Sequence, residues 1–225
     1  MPDTQTPGPY DLFDAAELEE PFAAPAGNSY LVTAPQPAGR RFVLDALGRG
    51  LRDGEGAMIL TTDEPAGSIA DGLEERTGAD DADRLRIIDC QTGTIDLGAG
   101  ATLVQNVDTP RNLTDIGIGF TNAIDGFEEA GIDRVRFGAL SLSVVLSYVD
   151  QETVYRFCQT LTRGLAGEDY VGLFALTVDA HDEKTINTLR RAFDGRIDVR
   201  DGADGPELRA EGIEGLPEAW TGYDA

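Results

Sequence analysis

Ala34, Gly39, Arg40 and Arg41 stand at the spacing where a phosphate-binding loop places its two glycines, its lysine and its hydroxyl. In a working loop, G-x-x-x-x-G-K-[ST], backbone N–H groups cradle the phosphates. The lysine reaches the terminal oxygens, and the hydroxyl holds a magnesium ion. Here only the second glycine is kept. Arg40 preserves the lysine's charge but presents it as a planar fork rather than a compact ammonium. Arg41 offers no oxygen to a metal. Pro35 and Pro37 each remove an N–H that would face phosphate. The scaffold of the loop is legible and its chemistry is substituted, which points away from catalysis.

Other side chains invite chemical readings, each with a plainer one beside it. The pair Asp63-Glu64 closes an apolar run and reads either as a relic of a catalytic base or as an acidic start to a helix. Arg40 and Arg41 open a helix, where the macrodipole disfavours cations. They read as a residual anion site or as surface arginines meeting nearby carboxylates. His181, the only histidine, lies between Asp179 and Asp182, but one histidine on a turn is not a ligand set, so no metal is expected. Ser141 and Ser143 have no evident histidine base, which argues against a serine hydrolase. Arg134 and Arg136 alternate with Val135 and Phe137, as in a strand that begins with one exposed side. Cys90 and Cys158 are far apart in apolar surroundings and read as free buried thiols.

The elements that position these residues follow from hydropathy patterning. A strand over Tyr30–Ala34 runs through the loop into a helix from Arg40 to Leu51, with Phe42, Val43, Ala46 and Leu47 on one face. Further strands are expected at Ala57–Thr62, Leu85–Cys90, Val135–Leu140 and Tyr170–Val178. Continuous apolar runs of this kind suit strands covered on both faces. Helices are expected over Ala66–Thr77, Asn112–Ala130, Gln151–Ala166 and Glu183–Phe193, the last capped by Asp182. Phe120, Ile124 and Phe127 form a core-facing stripe. Ser143–Val149 fits either helix or strand, and Leu103–Val107 is a strand or an extended connection. Arg196–Arg200 and Glu207–Glu211 flank the turn D-G-A-D-G-P and predict a closing antiparallel hairpin at one sheet edge. Alternating strands and helices give an α/β fold with a mostly parallel sheet. Residues 1–28 read as a mobile, acidic, proline-rich arm with one short helix at Asp14–Glu20, 29–212 as the domain, and 213–225 as a tail.

The 225 residues carry a formal net charge of −23, with 41% hydrophobic content. That charge opposes nucleic acid and anionic membrane as partners, while the apolar content excludes a disordered acidic chain. Lys184 is the only lysine. A surface crowded with Asp and Glu suits a very salty cytoplasm, where molar salt screens charge to within about 3 Å. No apolar run is long enough for a transmembrane helix, and the N-terminus lacks the marks of a secretory signal, so a cytoplasmic protein is expected.

Several segments together resemble the RecA/KaiC-type P-loop ATPases, in a form found among halophilic archaea. N-S-Y-L-V-T-A-P-Q-P-A-G-R-R resembles the first strand and Walker A segment. R-G-L-R-D-G-E-G-A-M-I-L-T-T-D-E resembles the helix, turn and second strand that end in the catalytic acidic pair, here Asp63 and Glu64. R-V-R-F-G-A-L-S-L-S-V-V-L resembles the Walker B strand, with Gly138 at the place of the metal-binding Asp. The likeness spans about residues 27–200 and implies a RecA-like three-layer domain. Because both metal anchors are replaced, it implies a catalytically inactive protein with no required cofactor, acting as a regulatory or signalling module through a protein partner or self-association. The alternatives are a sensor that binds ATP without hydrolysis, or an unconventional ATPase.

Overall fold

The apolar runs Tyr30–Ala34 and Val171–Thr177 take the middle of the sheet, where both faces are covered. A computed structural model of the chain describes residues 8–15, 21–78, 82–91 and 103–224. Strand β3 (Ser29–Ala34) lies between β8 (Val171–Thr177) and β9 (Gly195–Asp201), parallel to both. Beyond β8 the parallel sheet continues through β7 (Val135–Ala139), β4 (Gly56–Thr61), β5 (Leu85–Asp89) and β6 (Leu103–Asn106). Beyond β9 it turns antiparallel through β10 (Pro206–Glu211), β11 (Thr221–Asp224), β1 (Tyr10–Ala15) and β2 (Phe22–Ala24).

Helices form the outer layers. On one face α1 (Ala38–Arg52) and α2 (Ala66–Thr77) pack Phe42, Val43, Leu47 and Ile69 against Val32, Ile59 and Ile197. On the other lie α3 (Leu113–Glu129), α4 (Leu142–Tyr148), α5 (Gln151–Gly167) and α6 (Glu183–Arg190). Their Phe120, Phe127, Leu142, Leu161 and Leu189 meet Leu31, Phe137 and Phe174. The stripe read on α3 is core, with Phe120 and Phe127 buried and Ile124 packed against them. Asp182 caps α6 as expected, accepting the Thr185 N–H at 2.8 Å. The ambiguous stretch after Leu140 is helical because the Ser141 side chain caps it by accepting the Val144 N–H.

Both chain ends correct the sequence reading. The expected arm over 1–28 carries β1 and β2, and Asp14, the expected start of a short helix, is in β1. The rest of that expected helix, residues 16–20, lies outside the described residues. Tyr10, Leu12 and Phe13 are fully buried, with Phe13 stacked on Phe22 and tilted against Phe42. The expected tail over 213–225 carries β11, so the hairpin of β9 and β10 is inside the sheet rather than at its edge. These strands are short and flanked by acids and prolines, so no local periodicity marks them; β1 and β11 enter the sheet by pairing with each other from opposite ends of the chain.

Arg136 corrects a third expectation. It is 1% exposed, not an outward side chain of a sheet entrance, and its Nε meets Glu55 Oε2 at 2.5 Å. Arg134 shares the same carboxylate at 2.8 Å and lies over the Tyr10 ring. The N-terminal strand therefore seals a buried ion cluster at the bottom of the sheet.

Candidate functional site

The loop that follows β3 stands at the C-terminal edge of the parallel strands, where open α/β sheets bind ligands. Ala34 ends β3 and is 2% exposed. Gly39 sits in the first turn of α1, where a Cβ would come 3.1 Å from the Ala34 side chain, so close helix–strand contact accounts for this glycine. The N–H groups that should cradle an anion are depleted. Pro35 and Pro37 have none, and the Ala38 N–H is bonded to the Pro35 carbonyl at 3.0 Å. The space over the loop is about 90 Å³, walled by Pro35, Pro37, Arg40, Asp63 and Leu140. Small-molecule pockets run to about 300–1,000 Å³.

The charges at the loop are directed at each other. Arg40 is ion-paired with Glu64, each side chain about a quarter exposed, at 25% and 26%. Ser68 donates its hydroxyl to the same Glu64 carboxylate. Arg41 is paired with Asp201 beyond the end of the loop. Partial burial lowers the pKa of Arg40, and Asp63 pulls it back up. The hydrogen bond from Arg41 to Asp201 raises that of Arg41. Of the two readings open in the sequence, the geometry is that of arginines neutralised by carboxylates. It brings Arg40 and Glu64 together and leaves Asp63 on the cavity wall.

Gly138 does not face the cavity. A Cβ there would lie 2.7 Å from Val43 Cγ1 and 2.8 Å from Leu47 Cδ1, under the middle of α1. The next residue on that side of β7 is Leu140, which lines the cavity beside Asp63. That leucine is 3% exposed and offers the cavity no oxygen ligand.

The structure also corrects the reading of the serines. His181 Nε2 is 2.9 Å from Ser143 Oγ, so Ser143 does have a histidine. The pairing was invisible because the two residues are 38 positions apart on different elements. Ser143 is 8% exposed, and its oxygen also accepts the Thr177 N–H at 3.0 Å. Among the described residues no carboxylate is hydrogen-bonded to the other ring nitrogen. The pair ties α4 to the end of β8 and lacks the orienting acid of a triad. Ser141, 5% exposed, accepts a hydrogen bond from Thr62 through its carbonyl. Among the described residues no group of three His, Cys, Asp or Glu is placed to hold a metal. Cys90 and Cys158 are free and buried, and burial pushes both thiols up to about 12, with Asp89 adding to the rise at Cys90.

A parallel sheet with helices on both faces, a loop leading from a central strand into α1, and one strand inserted between β3 and β7 define a domain of the RecA/KaiC-like fold. The crystal structure of the KaiC-like protein PH0186 from the hyperthermophilic archaeon Pyrococcus horikoshii OT3 superimposes with a TM-score of 0.65 at 9% identity, covering 97% of this chain and 94% of that one. Within that class the chain belongs to a family of unknown function, DUF7504, which matches residues 27–199. No curated protein matches the chain.

Proposed function

We propose that this protein is a pseudo-ATPase: a RecA/KaiC-fold module that does not turn over Mg-ATP and that regulates or transmits a signal by contact with other proteins, including copies of itself. The observation that carries the reading is the Arg40–Glu64 ion pair. Phosphoryl transfer needs a metal and free positive charge at the phosphates. Here Arg40, the cation on the loop cavity, is spent on Glu64, and the apolar Leu140 lines that cavity beside Asp63. With the cofactor absent from its chemistry, what such a fold retains is surface. The net charge of −23 and the single lysine fit a halophilic, archaeal cytoplasm, where partners are met through short-range contacts because long-range charge is screened. No helix among the described residues is long and apolar enough to cross a membrane.

The test is isothermal titration of ATP and ADP, with and without magnesium, into the purified protein in molar KCl, alongside light scattering for its mass. The expected result is no heat, no thermal shift and no phosphate release. Saturable binding at micromolar ATP would overturn the reading, because a ligand held by the native state must raise its stability. Binding without turnover would establish a nucleotide sensor instead.

A further inference from the structure

The loop cavity is too small for an organic ligand, but a second cavity of about 440 Å³ opens on the other side of β3 and β9. On β9 the residues Ile197 and Val199 pack into the core, while Arg196, Asp198 and Arg200 alternate outward. The outward row, together with Arg209 of β10, Ile186 of α6 and Trp220, lines this second cavity.

Its polar residues have a definite arrangement. The Asp198 side chain is 13% exposed and receives hydrogen bonds from Thr33, Arg196 and Arg209. Burial alone would raise its pKa, but those bonds prevail and hold it below the ordinary carboxylate range. Its acceptor capacity is filled from inside, so Asp198 orients the arginines and has little left for a ligand. Arg200 is anchored on one edge by Glu207, at 2.6 Å and 2.8 Å, and lies 4.0 Å over the Trp220 ring. Arg209 lies 4.8 Å over the same ring and bonds Asp198 through Nε. Both arginine side chains remain nearly half exposed, at 45% and 43%, and their remaining donors have no partner among the described residues. Ala34, Pro35, Val178 and Ile186 supply an apolar wall beside them. A ring contact fixes each fork in place, so few rotamers are left to freeze on binding.

We infer that this cavity binds a small planar organic anion, with its ring on the apolar wall and its carboxylate or phosphate monoester on Arg200 and Arg209. Fixed guanidiniums recognise such oxyanions in pairs of hydrogen bonds. The volume falls within the usual range for a small-molecule site. The inference is independent of whether the loop after β3 binds nucleotide, since it uses none of the loop's charged residues.

Trp220 is the only tryptophan of the chain, so its fluorescence reports this cavity alone. The probes are 4-hydroxybenzoate for a carboxylate and AMP for a phosphate ester, titrated in molar KCl with calorimetry in parallel. The expected result is a saturable change for at least one probe, which identifies the source of the anion. Arg209→Gln and Arg200→Gln should each weaken it roughly tenfold or more, the effect of losing a charge-assisted hydrogen bond. Ile186→Phe narrows the cavity without touching a charge and should weaken it too, with the melting temperature of each free variant checking that it is folded. No saturable response to either probe overturns the inference. So does binding that both arginine variants and Ile186→Phe leave unchanged, which would place the anion elsewhere, the loop included.

Discussion

His181 Nε2 lies 2.9 Å from Ser143 Oγ, and the Ser143 oxygen already accepts the Thr177 N–H. With one lone pair and its proton left, the Ser143 hydroxyl can donate to Nε2 or accept from Nε2–H, so a neutral imidazole is held in either tautomer. Burial lowers the His181 pKa from its ordinary value near 6.5, against a smaller pull upward by Asp182. In the unfolded chain the imidazole takes its proton near pH 6.5; in the folded chain it resists. The unfolded state binds more protons in that window, so stability falls as pH drops below about 6.5 and is level above it. His181→Gln should flatten the melting temperature between pH 7.5 and 5.5. An acid limb of equal slope in the variant would refute the assignment.

The buried cluster under Tyr10 gives a larger effect. Glu55→Ala takes from Arg136, 1% exposed, its hydrogen-bonded carboxylate and leaves only Asp53 at 4.0 Å. Breaking such a pair costs about 3–5 kcal/mol, which lowers the melting temperature of a chain this size by about 10 °C. The loss should persist in molar KCl, because buried pairs are little screened. By contrast, the surface pair Arg156–Glu152, with side chains 60% and 79% exposed, should show no measurable loss on Glu152→Ala in the same salt. Thermal melts across KCl concentrations separate the two.

The first strand should behave as core. Phe13 is fully buried against Phe22, Phe42 and Tyr223, which joins β1 to α1 and β11. Phe13→Ala should cost about 3–5 kcal/mol in denaturant unfolding. A change below about 1 kcal/mol would restore the reading of this segment as an arm.

How far the sequence was legible follows from where each signal sits. The parallel strands were readable because burial on both faces writes itself as an uninterrupted apolar run, as in Val171–Thr177. The α helices were readable from their stripes and caps, Asp182 among them. β1 and β11 were not, since each is stabilised by partners at the opposite end of the chain: Asp14 faces Asp224 and Ala15 faces Tyr223. At the loop, the substituted positions were plain in one dimension, but that Arg40 turns to Glu64 is a fact of packing. The same holds for Leu140, two residues on from the Gly138 that alignment to a motif selected. Trp220 was read as tail because only the fold brings it to Arg200 and Arg209.

If Glu64 is what occupies Arg40, then Glu64→Gln should release it. The released guanidinium sits at the N-terminal end of α1, where anions are favoured. The variant should gain weak, magnesium-independent binding of pyrophosphate, seen as a thermal shift absent from the wild type. Because the pair is partly exposed, its loss should change stability by only about 0–1 kcal/mol. An unshifted melt in millimolar pyrophosphate would mean that the missing N–H groups, and not the ion pair, silence the loop.

Rebuilding the loop tests which position lost its metal anchor. Ala34→Gly, Pro37→Gly, Arg40→Lys and Arg41→Thr together restore the loop pattern, and Leu140→Asp sets a carboxylate on the cavity wall beside Asp63. This variant should bind Mg-ADP with a Kd below about 1 mM, a gain of at least about 4 kcal/mol over no site. The same loop with Gly138→Asp should do worse in two ways. Its Cβ would press on Val43 and Leu47, at 2.7 Å and 2.8 Å. Its carboxylate would also be buried beneath α1 without a partner. Overpacking alone costs about 1–3 kcal/mol, so its melting temperature should fall and no magnesium dependence should appear. Calorimetry on the two variants decides the point. Magnesium-dependent binding in the Gly138→Asp protein and not in the Leu140→Asp protein would return the anchor to position 138, and α1 would then have to move to admit it.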